Sequence, residues 1–347
     1  MSTKILIRTP NHLGDCIMAM PMVNETREAY PGSSVTVLTP LHLADLFTGN
    51  PGIDQVLTIP TEHVHGVIGV FKVKEIIAAG EYDVGYVLPP SFGAASSFKL
   101  GGVKERIGYI ADGRRMLLTK PLPLPAPLNS EHRSKVYFDL LRRGAGVSFD
   151  YVKPKLFLSE TDIDSSAKLL LGFGIAASDR YAVLAFRAVA ESRRWGTENY
   201  TELARQLVAR HAVKVVLVGT EENRKVGDEI VKSAGLAEGA VVNLAGKTSL
   251  RELATICSRA FVFVGNDSGP AHLAAAVGAP LVVMSGADDP KETSPMASRK
   301  RMIYRENLEC ISCVKNKCPL KGDQFMRCMK EISVEMVLAE VTALISG

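Results

Sequence analysis

Several signatures that commonly announce a function are missing from this chain. No Gly-x-Gly-x-x-Gly run follows an apolar strand, no Walker loop exists and no Gly-x-Ser-x-Gly elbow occurs. Dehydrogenase, P-loop and serine-hydrolase readings therefore have no motif behind them. Long hydrophobic runs are also absent: the longest, 273–284, is twelve residues and is broken by Gly278 and Pro280. That is well short of the roughly 20 needed to span a bilayer. Charge of one sign is scarce too, since 41 Lys and Arg against 37 Asp and Glu leave +4. So weak a balance excludes a dedicated nucleic-acid binder, although a local basic patch stays open. The cationic start around Lys4 and Arg8 has a very short apolar centre followed by Pro10, unlike a secretory signal, so a cytoplasmic chain is expected. Six cysteines do not make a disulfide scaffold, yet four of them crowd into the nineteen positions 310–328.

What is present fits a large globular enzyme. A length of 347 residues with 46% hydrophobic content is about twice a usual single domain, which points to two cores. Short β-branched runs alternate with amphipathic stretches, the pattern of parallel strands buried under helices. Strands are predicted at 5–7, 35–38, 56–59 and 84–88, then at 181–186, 213–218, 241–244, 261–264 and 281–284. Helices are predicted at 16–29, 71–79 and 132–144, and the proline-rich 121–127 reads as a stiff loop. Two doubly wound α/β units follow. The expected boundaries are 1–160 for an N-terminal domain, 161–178 for a linker with a helix, 179–332 for a C-terminal domain and 333–347 for a final helix.

Three places could carry chemistry. Gly14-Asp15 opens a helix after the first strand, where Asp15 is either an N-cap or a functional carboxylate and Gly14 lets a substrate approach the backbone. Asp267-Ser268-Gly269-Pro270-Ala271-His272 lies between an apolar strand and a helix start, a natural seat for a diphosphate or simply a capped turn. Arg187 and then Arg193-Arg194-Trp195 follow another strand, and arginines there suit phosphate oxygens, with a solvated pair as the alternative. Glu221 and Glu222 end a further strand, as cap or as partner of a sugar hydroxyl. Between 99 and 120, six basic residues stand against two acidic ones, which fits an anionic acceptor or a solvated face.

The strings Gly14-Asp15, Leu88-Pro89-Pro90-Ser91-Phe92, Arg106-Ile107-Gly108-Tyr109, Arg193-Arg194-Trp195 and Asn266-Asp267-Ser268-Gly269-Pro270-Ala271-His272 together resemble glycosyltransferase family 9. This family comprises bacterial heptosyltransferases that build the inner core of lipopolysaccharide. The Pro-Ser-Phe and Arg-Ile-Gly-Tyr segments and the C-terminal cysteines look most like the branch that adds the second heptose. The resemblance implies an α/β GT-B fold, two Rossmann-like doubly wound domains facing a central cleft, with the final helix packing back towards the N-terminal domain. It implies an inverting transfer from ADP-heptose to a lipid A and inner-core acceptor, with no nucleic acid involved. A peripheral contact with the cytoplasmic face of the inner membrane is left open. Asp15 would be the general base; Arg187, Arg193, Glu222, Asp267, Ser268, Gly269 and His272 would bind the donor; Gly14, Ser91, Arg114 and Arg115 would bind the acceptor.

Some positions depart from the family pattern. Arg193 stands where a lysine is usual, Gly196 where a proline follows the tryptophan, and Pro90 where an asparagine is expected. A sugar-nucleotide epimerase of the same fold and a noncatalytic nucleotide-binding scaffold are the competing readings. Catalysis is expected to need no cofactor. Cys310, Cys313, Cys318 and Cys328 could hold a structural metal, remain reduced or pair as disulfides, and the cluster is expected to lie away from the catalytic motifs.

Overall fold

The computed structural model describes residues 2–125 and 131–346. The chain divides into two compact units, Met1–Phe157 and Leu158–Gly347. Among the described residues each unit holds one six-stranded parallel sheet. In the first unit the strands are β1 (Lys4–Arg8), β2 (Ser34–Pro40), β3 (Gln55–Ile59), β4 (Val84–Val87), β5 (Glu105–Tyr109) and β6 (Lys120–Leu122), in the order β3-β2-β1-β4-β5-β6. In the second they are β7 (Tyr181–Ala185), β8 (Lys214–Val218), β9 (Val241–Asn243), β10 (Val262–Asn266), β11 (Leu281–Ser285) and β12 (Lys300–Tyr304), in the order β12-β11-β10-β7-β8-β9. Counted from each unit's own first strand, both sheets follow 3-2-1-4-5-6, the doubly wound order.

The strands predicted from apolar runs are the central ones. Ile5, Leu6 and Ile7 of β1 and all five residues of β7 are buried, as a sheet covered on both faces requires. Register is set by direct pairing of such residues, Ile5 with Val35 on one side and with Val84 on the other. Gly85 in β4 is demanded by packing, because a Cβ there would come within 2.7 Å of Phe98 and Val103 side-chain atoms.

Three strands carry no apolar run. β5 begins Glu105-Arg106, β6 contains Pro121, and β12 begins Lys300-Arg301. β6 and β12 are edge strands, where proline and charge are tolerated because one side needs no ladder partner. The stiff loop expected at 121–127 is thus strand at its start, and residues 126 and 127 lie outside the described residues.

The helix Glu160–Gly172, expected in a linker, is tied to the second unit. Ser159 and Asp162 form a capping box, Asp162 binds Arg251 (Nε to Oδ1, 2.7 Å), and Ser165 donates to Glu252 at 2.9 Å. The Arg251 guanidinium and the Ser159 hydrogen bonds hold the Asp162 carboxyl far below the usual carboxylate range. The final helix, Val334–Ser346, buries Val334, Val337, Leu338, Val341 and Leu344 in the second unit's own core, whereas it was expected to pack back towards the first. No described helix is long and apolar enough to cross a membrane.

Candidate functional site

A doubly wound sheet binds ligands beyond the carboxyl ends of its strands, where the strand order reverses. That point lies between β1 and β4 in the first unit and between β7 and β10 in the second. Gly14, Asp15 and Ser91 fall at the first and Arg187, Arg193, Asp267, Ser268, Gly269 and His272 at the second, whereas Arg114 and Arg115 follow β5 and Glu222 follows β8; each unit is described separately.

In the first unit, β1 leads through Thr9 to His12 into the helix Leu13–Ala29. The path is held by Arg8, only 4% exposed, whose Nη2 donates to Asn11 Oδ1 at 2.6 Å; burial pushes this guanidinium down to about 10. Thr9 Oγ1 donates to Thr39 Oγ1 at 2.8 Å. The N-cap is His12, and its side chain makes no capping bond, so Asp15 is a first-turn residue and not the cap. Its carboxylate pairs with Arg133 (Nη1 to Oδ1, 3.2 Å), the first residue of the helix Arg133–Ala145. A carboxylate there also gains from the helix's positive end. Gly14 precedes it in the same turn.

Across the switch point, Ser91 caps the helix Phe92–Leu100 by accepting from Ala94 N at 3.3 Å, while remaining exposed. Arg114 corrects the sequence reading. It is 1% exposed, donates from Nε to Tyr109 O at 2.9 Å and from Nη2 to Val87 O at 3.3 Å, and also binds Pro89 O. Desolvation lowers its guanidinium to about 10. A side chain so enclosed is a clamp on the ends of β4 and β5 and cannot reach an acceptor. Arg115 is exposed.

The basic stretch thins out in the same way. Lys104 pairs with Asp83 at 2.8 Å, Arg106 donates to Leu117 O at 2.8 Å, and Lys120 donates to Gly144 O at 2.6 Å. Lys99 and Arg115 are the exposed remainder.

In the second unit, Trp195 joins the two predicted motifs across the switch point. It is 3% exposed, its backbone N–H donates to Asn266 Oδ1 at 3.2 Å, and its indole donates to Ile332 O at 2.7 Å. Asn266, fully buried at the end of β10, thereby sets the position of Arg193 and Arg194. Gly196 follows at φ +110°, in the region closed to proline, whose ring locks φ near −65°. A proline here would therefore not fit this backbone path into the helix Thr197–His211.

Cations gather at the end of β7. Arg187 is half-buried, and burial together with the like charge of Arg194 lowers its guanidinium pKa. Arg194 spends Nε on Ala188 O at 3.0 Å. Arg193 Nε lies 2.7 Å from Asp288 Oδ2, close enough for an ion pair but without the alignment of a hydrogen bond.

Asp267 is 3% exposed and accepts from Ser285 Oγ at 3.0 Å. Burial, then the charge of Asp288, pushes its carboxyl up to about 7. His272 is buried with Nε2 4.0 Å from Asp267 Oδ1, so its ring faces this carboxyl from one turn inside the helix Gly269–Ala276. Ser268 occupies the N-cap position, but its hydroxyl donates to Asn266 O at 3.2 Å and makes no capping bond. Gly269 opens the helix half-exposed. Glu222 sits exposed in the turn Glu221–Asn223 after β8.

A shallow depression of about 440 Å³ between Arg180, Lys214 and Ala240 lies at the amino ends of β7 to β9, the wrong end for a ligand of this fold. Sequence reasoning missed Arg133, Ser285 and Asp288. Asp288 had a usable signal: like Asp15, it follows a buried strand and a glycine, in Ser285-Gly286-Ala287-Asp288. Arg133 had none, because only the packing of two helices brings it to Asp15.

Comparison with known proteins agrees over most of the chain. The sequence model of glycosyltransferase family 9 (heptosyltransferase) matches residues 70–323. Lipopolysaccharide heptosyltransferase 2 of Escherichia coli K12 is 28% identical over 310 residues, covering 86% of this chain and 87% of that protein. Lipooligosaccharide heptosyltransferase 2 of Haemophilus influenzae Rd is 25% identical, covering 99% of each. The solved structure of the E. coli ADP-heptose lipopolysaccharide heptosyltransferase II superposes with a TM-score of 0.82, at 26% identity and 99% coverage of both chains. A family 9 glycosyltransferase from Veillonella parvula has the same fold, with a TM-score of 0.85, 20% identity and coverage of 99% of this chain and 97% of that one.

Proposed function

Because the chain belongs to glycosyltransferase family 9, we propose that it transfers heptose from ADP-heptose to the inner core of lipopolysaccharide, adding the second heptose, with inversion. The observation that carries this reading is the pairing of functions at two equivalent switch points. One offers a held carboxylate, Asp15, and the other a cluster of arginines beside a helix start.

Transfer needs both. The Asp15 carboxylate takes the proton of the acceptor hydroxyl, whose oxygen forms the new bond to the anomeric carbon. The bond from that carbon to the donor phosphate oxygen breaks, and its electron pair leaves with ADP. Arg187, Arg193 and the N-terminal end at Ser268 and Gly269 receive the diphosphate charge, which fixed cations and helix dipoles stabilise without reorganising. Asp267, titrating near neutrality, can donate to or accept from the heptose hydroxyls. Glu222 contacts the donor ribose. Ser91, Gly14 and Arg115 attend the acceptor.

Peripheral contact with the inner membrane from the cytoplasm belongs to the same proposal. It is supported by Val67 and Ile68, 74% and 72% exposed, and by Met116, 79% exposed next to Arg115. The deciding experiment offers the protein ADP-heptose with and without a core acceptor ending in one heptose. ADP release that depends on acceptor, with a product one heptose heavier, is expected. Acceptor-independent conversion of the sugar nucleotide would instead establish an epimerase, and no turnover with nucleotide binding would establish a scaffold.

A further inference from the structure

Cys310, Cys313, Cys318 and Cys328 all line one pocket of about 60 Å³, and none is in a disulfide. No acidic side chain lines it. Cys318 Sγ already accepts from Met326 N at 3.4 Å, the kind of amide contact that supports a thiolate ligand.

The surrounding loop has little regular structure. Between the end of β12 and the short helix Arg327–Lys330, the one helical element among the described residues is the short turn Gly322–Gln324, which buries none of its residues. Three of the six described non-glycine residues with positive φ fall here: Ser312 at 56°, Val314 at 53° and Met326 at 54°. Such conformations cost energy and persist where something over-determines them.

We propose that the four cysteines bind one thiophilic metal ion, zinc or iron, in a tetrahedral four-sulfur site that fixes this loop against the donor-binding segments. Four sulfurs at spacings of two, four and nine intervening residues suit a closed structural site. As the structure stands, no described group of three or more His, Cys, Asp or Glu could hold an ion, so binding requires the four thiols to move into ligand positions. Each thiol that becomes a ligand releases its proton. A divalent ion with four thiolates carries a net double negative charge, which Lys315, Lys317, Lys321 and Arg327 offset.

The loop is not remote from the site, as the sequence had led one to expect. Ser312 N donates to Gly286 O at 3.1 Å and Val314 N to Ala287 O at 2.8 Å, next to Asp288. Ser192 N donates to Asn316 O at 3.1 Å, and its hydroxyl binds Lys315 O, next to Arg193. The ion is therefore a positioning element for the Arg193 and Asp288 pair. Only this second part rests on reading Arg193 as a donor ligand.

The test uses the full chain without an affinity tag, purified anaerobically. Metal analysis is expected to give about one equivalent, and cobalt(II) added to chelator-stripped protein should give the visible bands of a tetrahedral thiolate complex. Cys310→Ser and Cys328→Ser, made singly, should each weaken cobalt binding at least ~10-fold, while Cys257→Ala leaves it unchanged. Less than about 0.2 equivalents of metal together with no cobalt thiolate band overturns the site, as does equal weakening by Cys257→Ala. Calorimetry should show ADP binding several-fold weaker in stripped protein and restored by zinc. Equal ADP affinity with and without bound metal overturns the positioning role alone, and absence of ADP binding in both forms counts against the donor reading instead.

Discussion

The two units share one strand order and differ in what they place at its reversal. The first ties up nearly all its charge there: Arg8 holds a loop, Arg114 clamps carbonyls, and Arg133 is committed to Asp15. One carboxylate is left in position. The second gathers Arg187, Arg193 and Arg194 after β7, with Arg193 beside Asp288 and acting on the buried Asp267 carboxyl, whose ionisation burial disfavours. Topology thus sets where a ligand would sit, and in the proposed mechanism the local balance of charge sets which half of the reaction each copy of the scaffold serves.

The largest expected effect breaks that division at the first unit. Asp15→Asn keeps the helix and nearly the same shape but removes the base, so turnover should fall ~10²–10⁴-fold with ADP affinity unchanged. Steady-state rates with calorimetry check both halves. Near-normal turnover would leave Asp15 as only the partner of Arg133.

Next in size, Arg193→Ala should weaken ADP binding ~10-fold or more, and Arg193→Lys should recover only part of it, because an ammonium cannot reproduce a two-pronged contact. Full recovery by lysine would show that charge alone is used. Loss of affinity should not be accompanied by a fall in the melting temperature beyond that of losing one half-exposed ion pair.

Much of this was legible in the sequence, for reasons particular elements make plain. β1, β7 and β10 are buried on both faces and so read as continuous apolar runs; the residues after them, Gly14-Asp15, Arg187 and Asp267-Ser268, stood out because polar groups follow such runs abruptly. β5, β6 and β12 escaped because a charged or edge strand need not be apolar. Arg114 was misjudged for a related reason. A basic residue in a basic stretch reads as surface, and nothing local tells that three backbone carbonyls enclose it.

A subtler effect concerns pH. The Asp267 carboxyl, raised to about 7 in the folded chain, binds a proton more tightly there than when unfolded. Its contribution to stability is therefore fully present below about pH 4 and is lost as pH rises through about 7. Asp267→Asn removes this dependence, so the variant's melting temperature relative to the parent should be higher at about pH 8 than at about pH 5. Melting curves of ligand-free protein at both pH values decide it; a difference that does not change with pH would mean the carboxyl titrates in its ordinary range.

The last comparison separates two neighbours that the sequence treats alike. Arg114→Met leaves the carbonyls of Val87, Pro89 and Tyr109 without their donor, and burying unpaired acceptors should cost ~2–4 kcal/mol in denaturant unfolding. Arg115→Glu touches an exposed side chain, so stability should stay within ~0.5 kcal/mol. Its effect should appear only towards an anionic acceptor, as a KM raised ~3–10-fold with ADP affinity unchanged, since exposed charge pairs are weak and screened by salt. Repeating the KM measurement at higher ionic strength should shrink the gap between parent and variant. An Arg115→Glu variant with unchanged KM at low salt would return the exposed charges of 99–120 to a solvated face, leaving Gly14, Asp15 and Ser91 as the first unit's contribution to the proposed reaction.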